Sequence, residues 1–81
     1  MLEVNLSGSI SDAADGAQSV QVEAATIREL LRKLVERYPK LQGKIDEGVA
    51  VSINGDIYRD IREVKIPEDA EIFLLPRIQG G

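Results

Sequence analysis

The sequence predicts an α+β domain: a mixed sheet of four or five strands with one main helix packed on one face. Three observations carry that prediction. Apolar residues alternate with polar ones at Leu2, Val4 and Leu6, again at Val20 and Val22, and again at Val49, Val51 and Ile53, the two-residue period of half-buried strands. One stretch between them switches to helical spacing, with Ile27, Leu30, Leu31, Leu34, Val35 and Tyr38 at i, i+3, i+4, i+7, i+8 and i+11. No second stretch of comparable length has that period, so a single helix can cover only one side of the sheet.

The first two strands are separated by Ser7-Gly8-Ser9-Ile10-Ser11-Asp12-Ala13-Ala14-Asp15-Gly16, which is rich in turn formers and reads as a long loop joining an antiparallel hairpin. Asp12 and Asp15 in it lack the further oxygen ligands at fixed spacing that a cation site needs. The helix start is marked by Thr26-Ile27-Arg28-Glu29, a capping box in which the Thr26 hydroxyl accepts from the Glu29 amide and the Glu29 carboxylate reaches back. Pro39 ends the helix, because a residue before proline is pushed out of the α region. Leu41 and Ile45 are expected to dip into the core from an irregular segment or a short helical turn. Asn54-Gly55 between Ile53 and Asp56 is a tight-turn signal, and Ile57-Tyr58-Arg59 can return as a short edge strand. Residues 61–66 lack a clear period, and Pro67-Glu68-Asp69-Ala70 is a turn feeding the last strand, Glu71 to Leu75.

That last strand breaks the alternation. Ile72 and Leu74 can face the helix, and Phe73 and Leu75 then point to the side that has no cover. With Ile78 just beyond, they are expected to form an apolar patch for a partner protein, unless loop residues such as Ile10 cover them.

The balance of 10 basic and 14 acidic residues, net charge −4, leaves no basic stripe for nucleic acid. Histidine and cysteine are both absent, which excludes a disulfide, a thiolate metal site, a cysteine nucleophile and an imidazole base. The remaining acids look like solvated faces and turns, so a stand-alone enzyme is not expected, nor a cofactor or metal bound by this chain. No basic region followed by an apolar run opens the sequence, and no stretch reaches the length of a membrane span, so a cytoplasmic protein without membrane contact is expected.

The chemistry is expected at Pro76-Arg77-Ile78-Gln79-Gly80-Gly81. Residues 1–75 read as the folded domain and 76–81 as a flexible tail. Glycine has no Cβ, so a Gly-Gly end can lie in a slot too narrow for any side chain. The Gly81 carboxylate is sterically open and can be adenylated, after which a sulfur or nitrogen nucleophile can displace AMP from the acyl carbon. Six extended residues span roughly 20 Å, enough to enter another protein's active site.

This element order and the ending Leu74-Leu75-Pro76-Arg77-Ile78-Gln79-Gly80-Gly81 together resemble the MoaD/ThiS family of ubiquitin-like sulfur carriers, over essentially the whole chain. Pro76 matches the first proline of the MoaD-type ending Pro-Pro-Val-(Ala/Ser/Thr)-Gly-Gly, Ile78 stands for the valine, and Gly80 and Gly81 match the glycines. Arg77 and Gln79 replace the second proline and the small residue. The resemblance implies a β-grasp (ubiquitin-like) fold and a carrier cycle. An adenylating enzyme using ATP and Mg²⁺ would activate Gly81, a sulfur donor would convert it to a thiocarboxylate, and an acceptor synthase subunit would receive the sulfur, molybdopterin synthesis first. Gly80, Gln79, Ile78, Arg77, Pro76, Leu75 and Phe73 would be the partner-binding residues. Many MoaD-like chains carry aromatics at the end of the first strand and an Arg-Glu pair in the next loop, where this one has Leu6-Ser7 and Ser11-Asp12. Two other functions fit the same residues. One is a protein modifier joined through Gly81 to a lysine on a target, where Lys33, Lys40, Lys44 and Lys65 could receive further chains although each reads first as a solvated lysine; the other is a β-grasp interaction module with an inert tail.

Overall fold

The computed structural model describes residues 1–59 and 63–76. Among these, five strands form one sheet: β1 (Leu2–Leu6), β2 (Ser19–Val22), β3 (Val49–Ile53), β4 (Asp56–Arg59) and β5 (Glu71–Pro76), in the order β2-β1-β5-β3-β4. The central pair β1–β5 is parallel, and β1–β2, β3–β5 and β3–β4 are antiparallel, so the sheet is mixed as expected.

The main helix, α2 (Ile27–Arg37), begins on its cap. The Glu29 amide donates to Thr26 Oγ1 at 3.2 Å. The Glu29 carboxylate reaches back one residue further than a capping box requires, accepting from the Ala25 amide at 2.7 Å. Ile27, Leu30, Leu31 and Leu34 are buried against the sheet, while Val35 and Tyr38 close the edge of the stripe. Lys65 bridges to Thr26, and the Ile27 and Ile66 amides donate to Val64 O and Ala25 O, so the segment without a clear period is tied to the helix start.

Two connections differ from the sequence expectation. The loop after β1 contains a one-turn helix, α1 (Ser9–Ala13). Ile10, Ala13 and Ala14 lie at i, i+3 and i+4 and are buried, so the turn is held by what it covers rather than by its serine-rich composition. Leu41 and Ile45 sit on a regular helix, α3 (Leu41–Glu47), both buried. All of these apolar residues, Ile10 included, join the one core between the sheet and the helices.

The third difference lies in β3. Val51 and Ile53 face the helices as expected, yet Ala50 and Ser52, on the opposite side, are only 6% and 8% exposed. Among the described residues, no helix covers them. They are small residues on a strand flanked by β5 and β4, and the larger neighbours Leu75, Phe73, Ile57 and Arg59 lie beside them in register. β3 is thus covered on both faces.

Candidate functional site

The two-residue turn Asn54-Gly55, with φ of 50° and 95°, closes the β3–β4 hairpin on the pair Ile53–Asp56. Hydrogen-bonded pairs alternate from there, so Ile53 and Val51 turn their amides toward β4, and Ser52 and Ala50 turn theirs toward β5. Phe73 and Leu75 are therefore the residues of β5 that bond to β3, through the pairs Ser52–Phe73 and Ala50–Leu75. Backbone exchange locks these two positions, and their side chains project from the face opposite the helices.

On that face Phe73 is 40% exposed and Leu75 half-buried, beside fully buried Ile72 and Leu74 on the other face. The two-sided reading of the last strand is correct. Ile10 does not cover Phe73, because it is buried in the core with the helices. Asn5, the register partner of Phe73 on β1, is held down by a 3.1 Å hydrogen bond from its Nδ2 to Ile72 O.

Pro76 is the last of the described residues. It is the last residue of β5, one position beyond the expected 1–75 boundary, and it stands opposite Val49. The alternation makes that a non-hydrogen-bonded pair, so β3 loses nothing by the missing amide. The Pro76 nitrogen faces the β1 side, where pairing has already stopped at Leu6. A proline at this position has no amide to offer and takes none from the ladder. Arg77, Ile78, Gln79, Gly80 and Gly81, expected to carry the chemistry and the contacts to it, lie outside the described residues.

One exposed residue escaped the sequence reading. Ile57, 56% exposed on β4, pairs with Ser52, which in turn pairs with Phe73. The patch runs across three strands, not along one. Its signal was present in the Asn54-Gly55 turn, which sets the register of Ile57 against Ser52 once the hairpin is closed.

Among the described residues, no helix is long and apolar enough to cross a membrane. No group of three or more potential metal ligands gathers among them.

Comparison with known proteins places this architecture. The ThiS family model matches residues 4–81. No curated protein matches the chain. SAMP1 from Haloferax volcanii is 24% identical, with 99% of this chain and 98% of that one covered and a TM-score of 0.78. The small archaeal modifier protein 1 from Methanosarcina acetivorans is 25% identical, with 99% and 95% covered and the same TM-score of 0.78. The BexX/CysO complex of Amycolatopsis orientalis contains a chain 18% identical, covered fully on both sides, with a TM-score of 0.74. The fold is β-grasp, ubiquitin-like, as the resemblance implied.

Proposed function

Since the chain belongs to the ThiS family of ubiquitin-like carriers and modifiers, we propose that it is a sulfur carrier working through the Gly81 carboxylate. The observation that carries the reading is the extent of the family match, which runs through Gly80 and Gly81 rather than stopping at the folded domain. A carboxylate oxygen of Gly81 attacks the α-phosphorus of ATP on an activating enzyme and expels pyrophosphate. The terminal sulfur of a donor persulfide then attacks the acyl carbon and AMP departs. A thiol cleaves the resulting S–S bond, leaving a thiocarboxylate on the carrier and a disulfide on the donor side.

Adenylation supplies the leaving group, and the enzyme supplies Mg²⁺ and the charge stabilisation. This division of labour suits a chain without histidine or cysteine. The carrier contributes an end made of two glycines, which have no side chain, and a surface to grip. Cofactor biosynthesis is the destination of the sulfur, with molybdopterin the first pathway to examine because Pro76, Ile78 and the two glycines follow the MoaD-type ending.

Incubation with ATP, the activating enzyme of the same organism and a persulfide donor is expected to add the mass of one oxygen-to-sulfur exchange at Gly81. No gain in mass, or an equal gain after deletion of Gly81, refutes the proposal.

The likeness to a protein named as a small archaeal modifier supports a second reading, conjugation of Gly81 to lysines of target proteins. The same activated carboxyl serves both. Conjugates of higher mass in cells, lost on deletion of Gly81, are the outcome that favours modification over sulfur transfer.

A further inference from the structure

The two edges of the sheet are finished differently. At the β2 edge, Gln18 O accepts from the Leu6 amide, so by alternation Val20 and Val22 turn their polar groups toward β1, and Gln21 and Glu23 turn theirs outward. Both outward carbonyls are taken by α2. Arg37 Nη1 donates to Gln21 O at 3.3 Å, and Lys33 Nζ donates to Glu23 O at 2.5 Å. Two cations of the main helix thus occupy the acceptors that an added strand would need, and this edge is blunted.

The β4 edge has no such guard among the described residues. Asp56 and Tyr58 face β3, so the amide and carbonyl of Ile57 and of Arg59 point away from the sheet. None of these four groups has a hydrogen-bond partner among the described residues. The strand itself is built to pair: Ile57 and Tyr58 are strong strand formers, with Ile57 exposed and Tyr58 half-buried. A row of open backbone donors and acceptors is completed by another strand, not by a helix or a small molecule.

We propose that β4 is a pairing edge and that its occupant is β4 of a second copy of this chain, antiparallel and centred on Tyr58. A two-fold axis through Tyr58 sets Ile57 of each copy opposite Arg59 of the other, and all four outward groups of both strands are then bonded. Tyr58 meets its own counterpart at the axis in a non-hydrogen-bonded pair, the closer kind, where two aromatic rings stabilise one another. On the open face the aliphatic stem of Arg59 covers exposed Ile57 of the other copy. Moving the axis to Ile57 would set Arg59 against the turn residue Gly55, and moving it to Arg59 would oppose like charges.

The result is one sheet of ten strands, five from each copy. Within a copy β4 and β5 are both antiparallel to β3, so the two β5 strands run in opposite directions and the two Pro76 residues lie at opposite ends. An edge of four residues buries less than the roughly 1,200 Å² of a stable complex, so the pair is weak and builds up with concentration. Pairing is independent of the reaction at Gly81.

Sedimentation equilibrium of the purified chain from micromolar to millimolar concentration is expected to show the mass rising toward that of two chains. Ile57→Lys sets cation against cation at both ends of the pair and is expected to weaken association roughly tenfold, while Ile57→Glu sets an acid against Arg59 and is expected to tighten it roughly threefold. Ile57→Pro removes an outward amide without touching the β3 ladder, and is expected to abolish association with the circular dichroism of the fold retained. Because the chain has no cysteine, Tyr58→Cys under oxidised glutathione is expected to cross-link to its own counterpart faster than Ile57→Cys, and faster than Gln21→Cys at the guarded edge.

A chain that stays single at millimolar concentration overturns the proposal and leaves the β4 edge to a strand of another protein. Association that survives Ile57→Pro, or cross-linking as fast through Gln21→Cys as through Tyr58→Cys, shows that a different surface pairs and overturns it equally. Weakening by Ile57→Glu as well as by Ile57→Lys overturns the register centred on Tyr58.

Discussion

Asn54 and Glu71 are joined by two hydrogen bonds of different kinds. The Asn54 amide donates to Glu71 O at 3.0 Å, and the Glu71 amide donates back to Asn54 Oδ1 at 2.9 Å. The pair continues the alternation Ala50–Leu75 and Ser52–Phe73, but with φ at 50° the Asn54 backbone has already entered the turn, and its side-chain oxygen serves as the acceptor. One residue thus forms the β3–β4 turn and holds the beginning of β5.

Asn54→Ala removes that acceptor and puts a residue less tolerant of positive φ into the turn. Stability to urea is expected to fall by about 1–3 kcal/mol. Asn54→Gly keeps the backbone freedom and loses only the side chain, so it should cost less. Equal losses in the two variants would show that the hydrogen bond to Glu71 carries the whole effect.

Thr26→Ala removes the helix cap and should cost about 1 kcal/mol. In a domain of this size that lowers the melting temperature by roughly 4–8 °C. Thr26→Ser retains the hydroxyl and is expected to stay close to wild type in a calorimetric scan.

Gly48 follows α3 with φ at 111°, and its amide donates to both Lys44 O and Ile45 O, so the chain turns from α3 straight into β3 through one residue. Gly48→Ala forces a Cβ into that conformation and should cost on the order of 1–3 kcal/mol in chemical denaturation. An unchanged midpoint would mean that the turn relaxes to another conformation.

Leu74 and Phe73 are neighbours on one strand with opposite duties. Leu74→Ala opens a cavity in the core and is expected to cost about 2–5 kcal/mol. Phe73→Ala, at a site already 40% exposed, should cost roughly 1–2 kcal/mol. Steady-state adenylation is expected to reverse the order, with the KM for the carrier raised more by Phe73→Ala than by Leu74→Ala at a temperature where both are folded.

Much of the domain was legible in the residues because the period of a strand and the period of a helix are local properties. Leu2-Val4-Leu6 and Val49-Val51-Ile53 announce their strands, Thr26 and Glu29 announce the start of α2, and Phe73 and Leu75 announce a second apolar face on β5. None of these needs a distant partner to be recognised. By contrast, α1 at Ser9–Ala13 is five residues long, too short to be stable alone, and exists because Ile10 has a core to enter.

The open face belongs to the tertiary structure for the same reason. Glu3, Arg59 and Phe73 lie on three different strands, and only strand register decides that they share one surface and in what order. The sequence alone determined the buried faces of β1, β2 and α2 and that the last strand carried apolar side chains on both faces. The pairing of β5 between β1 and β3 decided what surrounds those side chains, because hydrogen-bonded register is a relation between segments and no single segment contains it.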